Sequence, residues 1–192
     1  MKILREVGII VLIAVAIFVL LRLTVQSYTV VMSSMEPNFQ EGECIMVNKV
    51  CYRSSGPQRG EVIIFAPPFN SQYPFIKRVI GLPGETVEIK DEKVFIDGIP
   101  LEEEYIMALP NYTMPAQEIP ENEYFVLGDN RNNSNDSHNS WTVPRDNIIG
   151  RAWFTYWPPS KWRVVKHYSY PELNIAGEQE MMVSHSFGVQ LE

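Results

Sequence analysis

One long apolar run stands at the amino terminus of this 192-residue chain, between residues 7 and 21. It contains no charged or polar side chain, and residues 23–25 continue it after Arg22. A membrane-spanning helix needs roughly 20 apolar residues, and the long stem of an arginine can place its charge at the interface. A charged start followed by an apolar run also fits a removable leader, but no A-x-A-like cleavage site follows. We therefore predict an uncleaved transmembrane anchor over residues 1–26.

After the anchor, the pattern changes to short β-prone runs separated by turn residues. Residues 86–90 and 93–96 alternate with period two around a short acidic turn, which predicts a hairpin. The other runs that predict strands are residues 28–32, 44–47, 62–65, 124–127 and 148–156. No long helical periodicity appears beyond residue 26. The fold class predicted is therefore mainly β, an antiparallel sheet domain preceded by one helix.

The predicted β domain covers residues 27–170 and carries a small inserted lobe at residues 86–127. Within that lobe, residues 100–122 are rich in proline and glutamate and are predicted to be irregular. The polar stretch at residues 171–192 is predicted to be a loosely ordered tail.

Composition narrows the functional classes. The chain is 45% hydrophobic, which is enough for a core and excludes wholesale disorder. Its net charge of -7 disfavours non-specific nucleic-acid binding. Lys2 and Arg5 precede the apolar run and favour a cytoplasmic amino terminus, although Arg22 weakens the asymmetry. The rest of the chain would then lie outside the cytoplasm.

The two cysteines are too few for a disulfide scaffold, and no Cys/His cluster has the spacing of a zinc site. We therefore predict no zinc site. Cys44 and Cys51 would face opposite sides of one continuous strand and could pair only if the chain turned between residues 47 and 50. We predict two buried free thiols.

Two of the segments that could carry chemistry contain a serine and a lysine. Ser34 follows an extended run and precedes Pro37, an arrangement that also occurs at ordinary strand-to-turn boundaries. Lys77 lies among apolar residues on a predicted strand, where a cation can simply extend its head to solvent. Alternatively, burial would favour the neutral amine, and a neutral lysine can act as a general base at pH 7.

A third segment, residues 128–138, is dense in Asn, Asp and Ser. Such a composition usually indicates a solvated loop, but after a hydrophobic strand it could support a site through hydrogen bonds. A calcium loop is another reading, although the glutamate that closes such a loop is absent.

Together the segments form three motifs: Ser-Met-x-Pro at residues 34–37, Lys-Arg-x-x-Gly-x-Pro-Gly at residues 77–84, and Gly-Asp-Asn-Arg-x-x-Ser-x-Asp-Ser at residues 128–137. In this order, behind one N-terminal anchor, they closely resemble the bacterial type I signal peptidases. The resemblance covers roughly residues 27–160. It implies a single-pass protein of the cytoplasmic membrane with its catalytic domain on the extracytoplasmic face, near the secretion translocon and in contact with membrane lipid.

The resemblance implies a serine endopeptidase that cleaves signal peptides from exported preproteins after small residues, at A-x-A type sites. Ser34 would be the nucleophile, with Ser33 as the neighbouring alternative, and Lys77 would be the general base. Serine needs a base within hydrogen-bond reach, and lysine replaces histidine in known Ser-Lys enzymes. This implied mechanism requires no metal and no organic cofactor. The implied supporting residues are Ser134, which would orient the Lys77 amine, together with Arg78, Asp129, Asn130, Arg131 and Asp136.

An extended substrate peptide could add as a β-strand between the segments that precede the serine and the lysine. In the family, those segments form shallow apolar pockets for small side chains. The residues implied to bind substrate here are Tyr28, Val30, Met32, Met35, Phe75 and Ile76.

The sequence departs from the family pattern at three positions. Met32 stands where relatives often have Ser or Gly, so its side chain cannot donate a hydrogen bond to the oxyanion. Asn38 replaces a common Thr. His138 replaces a common Arg, which would make any ion pair with Asp136 pH-dependent.

Two other functions stay open at this point. One is a peptidase of the same clan that matures a single dedicated substrate. The other is a catalytically inactive, anchored β domain that only binds signal peptides, a reading that Met32 favours.

Overall fold

A computed structural model describes residues 2–173 of the chain. It begins with one helix, α1 (Lys2–Thr24). Within the described residues, Arg5–Thr24 forms one helical stretch long and apolar enough to cross a membrane, with a mean hydropathy of 2.8 and no burial against the rest of the protein. The helix ends two residues before the predicted boundary because Val25 already pairs with Asn48 in a sheet.

The remainder of the described chain is built from strands, and every strand pair is antiparallel. The strands are β1 (Val25–Thr29), β2 (Cys44–Asn48), β3 (Val62–Phe65), β4 (Phe75–Gly81), β5 (Thr86–Lys90), β6 (Lys93–Ile96), β7 (Ile99–Pro100), β8 (Met114–Glu118), β9 (Glu123–Leu127), β10 (Val143–Pro144), β11 (Ile148–Trp157) and β12 (Arg163–Val164). The predicted fold class, mainly antiparallel β behind one N-terminal helix, is confirmed.

The main sheet runs in the order β1-β2-β11-β3-β4-β9-β10, with β12 paired to β11. Strand β3 lies in its middle, and all four of its side chains are buried. Apolar residues on both faces of a strand are what a central position requires, since both faces are covered. Strand β1 lies at one edge of the sheet, and its outer side pairs with no described strand.

The second sheet runs in the order β7-β6-β5-β8 and forms a lobe between β4 and β9. Its inward residues alternate as the period-two pattern predicts: Val87, Ile89, Val94 and Ile96 are all buried. The prediction of an irregular stretch at residues 100–122 was wrong for Met114–Glu118, which forms β8. Met114 is buried opposite Ile89, and Pro115 is tolerated because β8 is an edge strand.

Two smaller expectations differ from the structure, and a third lies largely outside the described residues. The first β run was placed at residues 28–32, whereas β1 ends at Thr29. Cys44 and Cys51 are free thiols, but they are half-buried rather than buried. The predicted tail lies outside the described residues from residue 174 onward; before that, Leu173 packs against the lobe.

Candidate active site

The structure brings Ser34 and Lys77 into direct contact. Ser34 lies in a 3-10 turn, Ser33–Met35, that follows the extended segment after β1. Lys77 is the third residue of β4. The Lys77 Nζ donates a hydrogen bond of 2.6 Å to Ser34 Oγ. The two side chains are only 6% and 2% exposed, so the contact is shielded from water.

The surroundings of Lys77 favour its neutral form. Burial lowers the pKa of the Lys77 amine from 10.5 to about 8, although the negative charges of Asp136 and Asp129 act in the opposite direction. The amine also donates to the Ile76 carbonyl at 3.0 Å and lies 5.4 Å from the centre of the Phe75 ring. Both hydrogen bonds of the Lys77 amine are thus to neutral oxygens, and neither is to a carboxylate.

The adjacent cation, Arg78, has the opposite environment. Its Nε and Nη2 donate to the two carboxylate oxygens of Asp129 at 2.8 and 2.7 Å, and both residues are buried. Burial alone would lower the Arg78 pKa, but the charge of Asp129 and its hydrogen bonds raise it. This bidentate pair fixes β4 to the loop that begins at Gly128.

The same loop holds the backbone of Ser34. The Asn130 N–H donates to the Ser34 carbonyl at 3.0 Å, and the Asn130 side chain donates to the Ser33 carbonyl at 3.2 Å. Asn133 donates to Ser33 Oγ at 3.0 Å, a contact that the sequence did not suggest.

The remaining charged residues of the motif brace the loop. Arg131 donates to both oxygens of Glu103, at 2.5 and 2.6 Å. The buried Asp136 accepts from the Gly128 N–H at 2.9 Å and lies 2.6 Å from Nδ1 of His138. Because Asp129 and Asp136 are occupied in this way, the loop is a hydrogen-bonded support. Among residues 2–173, no group of three or more His, Cys, Asp or Glu side chains could hold a metal ion.

The structure does not form the hydrogen bond expected between Ser134 and Lys77. Ser134 Oγ is buried and has no hydrogen-bond partner among the described residues. The side chain of Ser134 instead packs against Gly128, so closely that a Cβ at that position would overlap it. The amine of Lys77 is directed to Ser34 and to the Ile76 carbonyl.

A cleft of about 240 Å³ opens beside the Ser34–Lys77 contact. Five of the six residues expected to bind substrate line it: Tyr28, Val30, Met32, Phe75 and Ile76. The sixth, Met35, is fully buried in the core with Phe39 and Val47. Met35 is the last residue of the 3-10 turn that contains Ser34, and its side chain is not part of the cleft lining.

The sequence did not identify the floor and rim of this cleft. Ile45 and Ile64 line it from β2 and β3, and Ser71, Tyr73 and Pro74 line it from the loop before β4. Ile45 is paired with Tyr28 and Ile64 with Ile76. Only knowledge of the strand register could have placed these two isoleucines beside the predicted residues.

The cleft lies between two strand edges that could pair with another strand. One is the outer edge of β1. The other is the start of β4, because β9 pairs with β4 only from Arg78 onward. An extended peptide could therefore be hydrogen-bonded by both segments.

The family model and the sequence relatives identify one family. The family model "Signal peptidase, peptidase S26" matches residues 3–157. A probable signal peptidase I-1 of Synechocystis is 44% identical over 144 residues, which cover 71% of this chain and 74% of the relative. Signal peptidase IB of Staphylococcus aureus is 34% identical over 82% of this chain and 90% of its own length. A crystal structure of a signal peptidase I from Enterococcus faecalis is 36% identical, covers 50% of this chain and 97% of that one, and has a TM-score of 0.44. Since the matched residues contain the Ser34 turn, the Lys77 strand and the loop that joins them, this chain belongs to the signal peptidase family S26 and is a serine peptidase of the signal peptidase I type.

Proposed function

We propose that this peptidase cleaves signal peptides with Ser34 as the nucleophile and Lys77 as the general base. The observation that carries the proposal is the buried 2.6 Å contact between Lys77 Nζ and Ser34 Oγ. A serine hydroxyl is a weak nucleophile, and it needs a base at this distance. A lysine whose pKa is lowered to about 8 has a useful neutral fraction near neutrality.

In the acylation step, the neutral Lys77 amine accepts the Ser34 proton while Oγ attacks the carbonyl carbon of the scissile peptide bond. The resulting ammonium then donates this proton to the leaving amine nitrogen, and the C–N bond breaks. The acyl group remains on Ser34 as an ester. Lys77, neutral again, takes a proton from water, the hydroxide attacks the ester, and Ser34 regains its proton as the acid product leaves.

The developing oxyanion requires hydrogen-bond donors. The Ser34 backbone N–H is one donor that we propose. Met32 lies two residues before Ser34, at the position where relatives often have Ser or Gly, and its thioether has no hydrogen to donate. The contribution that a side chain makes there in such relatives is absent from this enzyme.

We propose that the substrate binds as an extended strand between β1 and the first residues of β4. The cleft is apolar and small, at about 240 Å³. Tyr28, Val30 and Ile76 would restrict the side chains near the scissile bond to small ones. This restriction supports cleavage after A-x-A type sites, the rule for secretory signal peptides.

We further propose that α1 anchors the enzyme in the cytoplasmic membrane as a single pass. Lys2 and Arg5 favour a cytoplasmic amino terminus, so the β domain would lie on the extracytoplasmic face. Because β1 starts directly after α1, at Val25, the cleft beside β1 would lie close to the lipid surface. Preproteins leaving the translocon would meet the enzyme there.

The test is cleavage of a preprotein with an A-x-A site by the full chain in lipid vesicles, between pH 6 and 10. We expect cleavage by the wild type, with an acid limb near pH 8, and none by Ser34→Ala or Lys77→Ala. Ser33→Ala is the matched control, since it removes the neighbouring hydroxyl and should retain most activity. Undiminished cleavage by Lys77→Ala would disprove the proposed base, and loss of cleavage only in Ser33→Ala would move the nucleophile by one residue.

A further inference from the structure

The carboxamide of Asn38 makes two hydrogen bonds at the same time. Its Nδ2 donates to Asp129 Oδ2 at 2.8 Å and to the backbone carbonyl of Tyr105 at 2.8 Å. Asn38 lies four residues after Ser34 and is half-buried. Its backbone is held as well, because Arg163 donates to the Asn38 carbonyl. Asn38 therefore contacts three other segments of the chain, at Tyr105, Asp129 and Arg163.

The hydrogen bond from Asn38 to Asp129 is part of a series of contacts between the segments that carry Ser34 and Lys77. Asp129 is the partner of Arg78, and Arg78 is the neighbour of Lys77 on β4. A continuous path thus runs from the Ser34 turn through Asn38, Asp129 and Arg78 to the strand of Lys77. The bond from Asn38 has an ionised acceptor, which makes it stronger than a bond between neutral groups.

The second bond brings the lobe into the same framework. The Tyr105 ring lies 4.4 Å from the guanidinium carbon of Arg78. Its hydroxyl donates to Glu103 at 2.6 Å, and Glu103 is the partner of Arg131. A threonine at position 38 would have a single hydroxyl hydrogen and could donate to only one of the two acceptors. The second connection therefore depends on the two amide hydrogens of asparagine.

We propose that Asn38 is a positioning residue that sets the separation of Ser34 and Lys77 and couples it to the Tyr105 segment of the lobe. The inference rests on the proposed roles of Ser34 and Lys77. It predicts a defect in the chemical step, because neither bond of Asn38 is in the cleft. Misplacing reacting groups by about 1 Å can cost roughly 100-fold in rate.

The chain offers a matched control in Asn132. This side chain also bridges to the lobe: its Nδ2 donates to the Leu109 carbonyl at 2.9 Å, and its Oδ1 accepts from the Asn111 N–H at 2.9 Å. In the part of the chain that the structure describes, the Asn132 side chain forms no hydrogen bond with Asp129. Asn132→Ala therefore removes an amide bridge of the same kind without disturbing the path between the nucleophile and the base.

The experiment measures single-turnover cleavage, KM and thermal melting for the wild type, Asn38→Ala, Asn38→Thr and Asn132→Ala, each as the full chain in vesicles. We expect Asn38→Ala to slow the chemical step by roughly 10- to 100-fold, with KM within a factor of two. We expect Asn38→Thr to recover part of that loss and Asn132→Ala to match the wild type. Asn38→Thr, which keeps a donor, serves as the second test if Asn38→Ala folds poorly.

Three results would overturn the inference: an unchanged chemical step in Asn38→Ala, an equal loss in Asn132→Ala, or a loss that disappears once activity is normalised to the folded fraction. Full recovery by Asn38→Thr would refute the proposed coupling to the Tyr105 segment of the lobe. These outcomes are distinct from failure of the proposed function, which would show as cleavage by Ser34→Ala or Lys77→Ala whatever residue occupies position 38.

Discussion

Replacing Lys77 by methionine should abolish cleavage and at the same time stabilise the protein at neutral pH. The pKa of Lys77 is lowered from 10.5 to about 8, mainly by burial. A pKa unit corresponds to about 1.4 kcal/mol, so keeping this lysine protonated in the folded state costs about 3 kcal/mol. Methionine has a similar length and no charge, and it avoids that cost. It also loses the hydrogen bonds to Ser34 and to the Ile76 carbonyl, worth about 1 kcal/mol each, which leaves a predicted gain of about 1 kcal/mol.

The pH dependence follows from linkage. The unfolded chain holds the Lys77 proton up to pH 10.5, whereas the folded protein releases it from about pH 8. Wild-type stability should therefore be lowest below pH 8 and rise as the pH goes from 8 to 10.5. Lys77→Met lacks this titration, so its advantage should be largest at pH 7 and shrink toward pH 10.

The assay is equilibrium unfolding of the full chain in detergent micelles, followed by tryptophan fluorescence at several pH values. Ser34→Ala is the control, because it removes the hydrogen-bond partner of Lys77 and leaves the buried charge in place. Two results would show that burial does not disfavour the charged amine of Lys77. One is a Lys77→Met protein no more stable than the wild type at pH 7, and the other is a stability difference that does not narrow as the pH rises. The physical basis for its role as a base would then be lost.

Two further substitutions test the loop beside the dyad. Gly128→Ala should reduce cleavage by more than 100-fold, because the added Cβ would overlap the Ser34 carbonyl oxygen and displace the turn; wild-type rates would mean that the loop does not position Ser34. His138→Arg places a permanent cation beside Asp136, whose charge raises the Lys77 pKa. The acid limb of the pH–rate profile should move to lower pH, and a shift to higher pH would contradict this electrostatic account.

The local pattern of the sequence was sufficient for the elements that carry the dyad. Lys77 and Arg78 alternate within an apolar run, so each had to share a strand face with hydrophobic residues. The structure buries both. The turn at Ser34 follows from the extended residues before it and from Pro37 after it. The contact between Ser34 and Lys77, which lie 43 positions apart, could be expected only from the family resemblance, because no local pattern specifies it.

Long-range packing determined the details that the sequence did not provide. Met35 was expected to bind substrate only because it belongs to the Ser-Met-x-Pro motif of the family. Alternation places it opposite Tyr28, Val30 and Met32, and the structure buries it in the core. The hydroxyl of Ser134 could form a hydrogen bond with the Lys77 amine, yet the loop places it against Gly128. Both expectations came from the family resemblance, and the structure shows neither the cleft position of Met35 nor the Ser134–Lys77 hydrogen bond.

The two adjacent cations of β4 show how the fold separates structural from chemical roles. Arg78 is buried with a carboxylate that makes two hydrogen bonds to it, so it stays charged and holds the strand to the loop. Lys77 is buried against a neutral hydroxyl, so burial lowers its pKa instead of being offset by a partner. Arginine could not act as the proposed base at position 77, because its guanidinium keeps its proton. Lysine at position 78 would have a single amine and could not match both oxygens of Asp129 with two parallel hydrogen bonds, as the guanidinium does. Under the proposed mechanism, the order of these two residues is therefore dictated by chemistry, since Lys77 must lose a proton readily and Arg78 must keep its own.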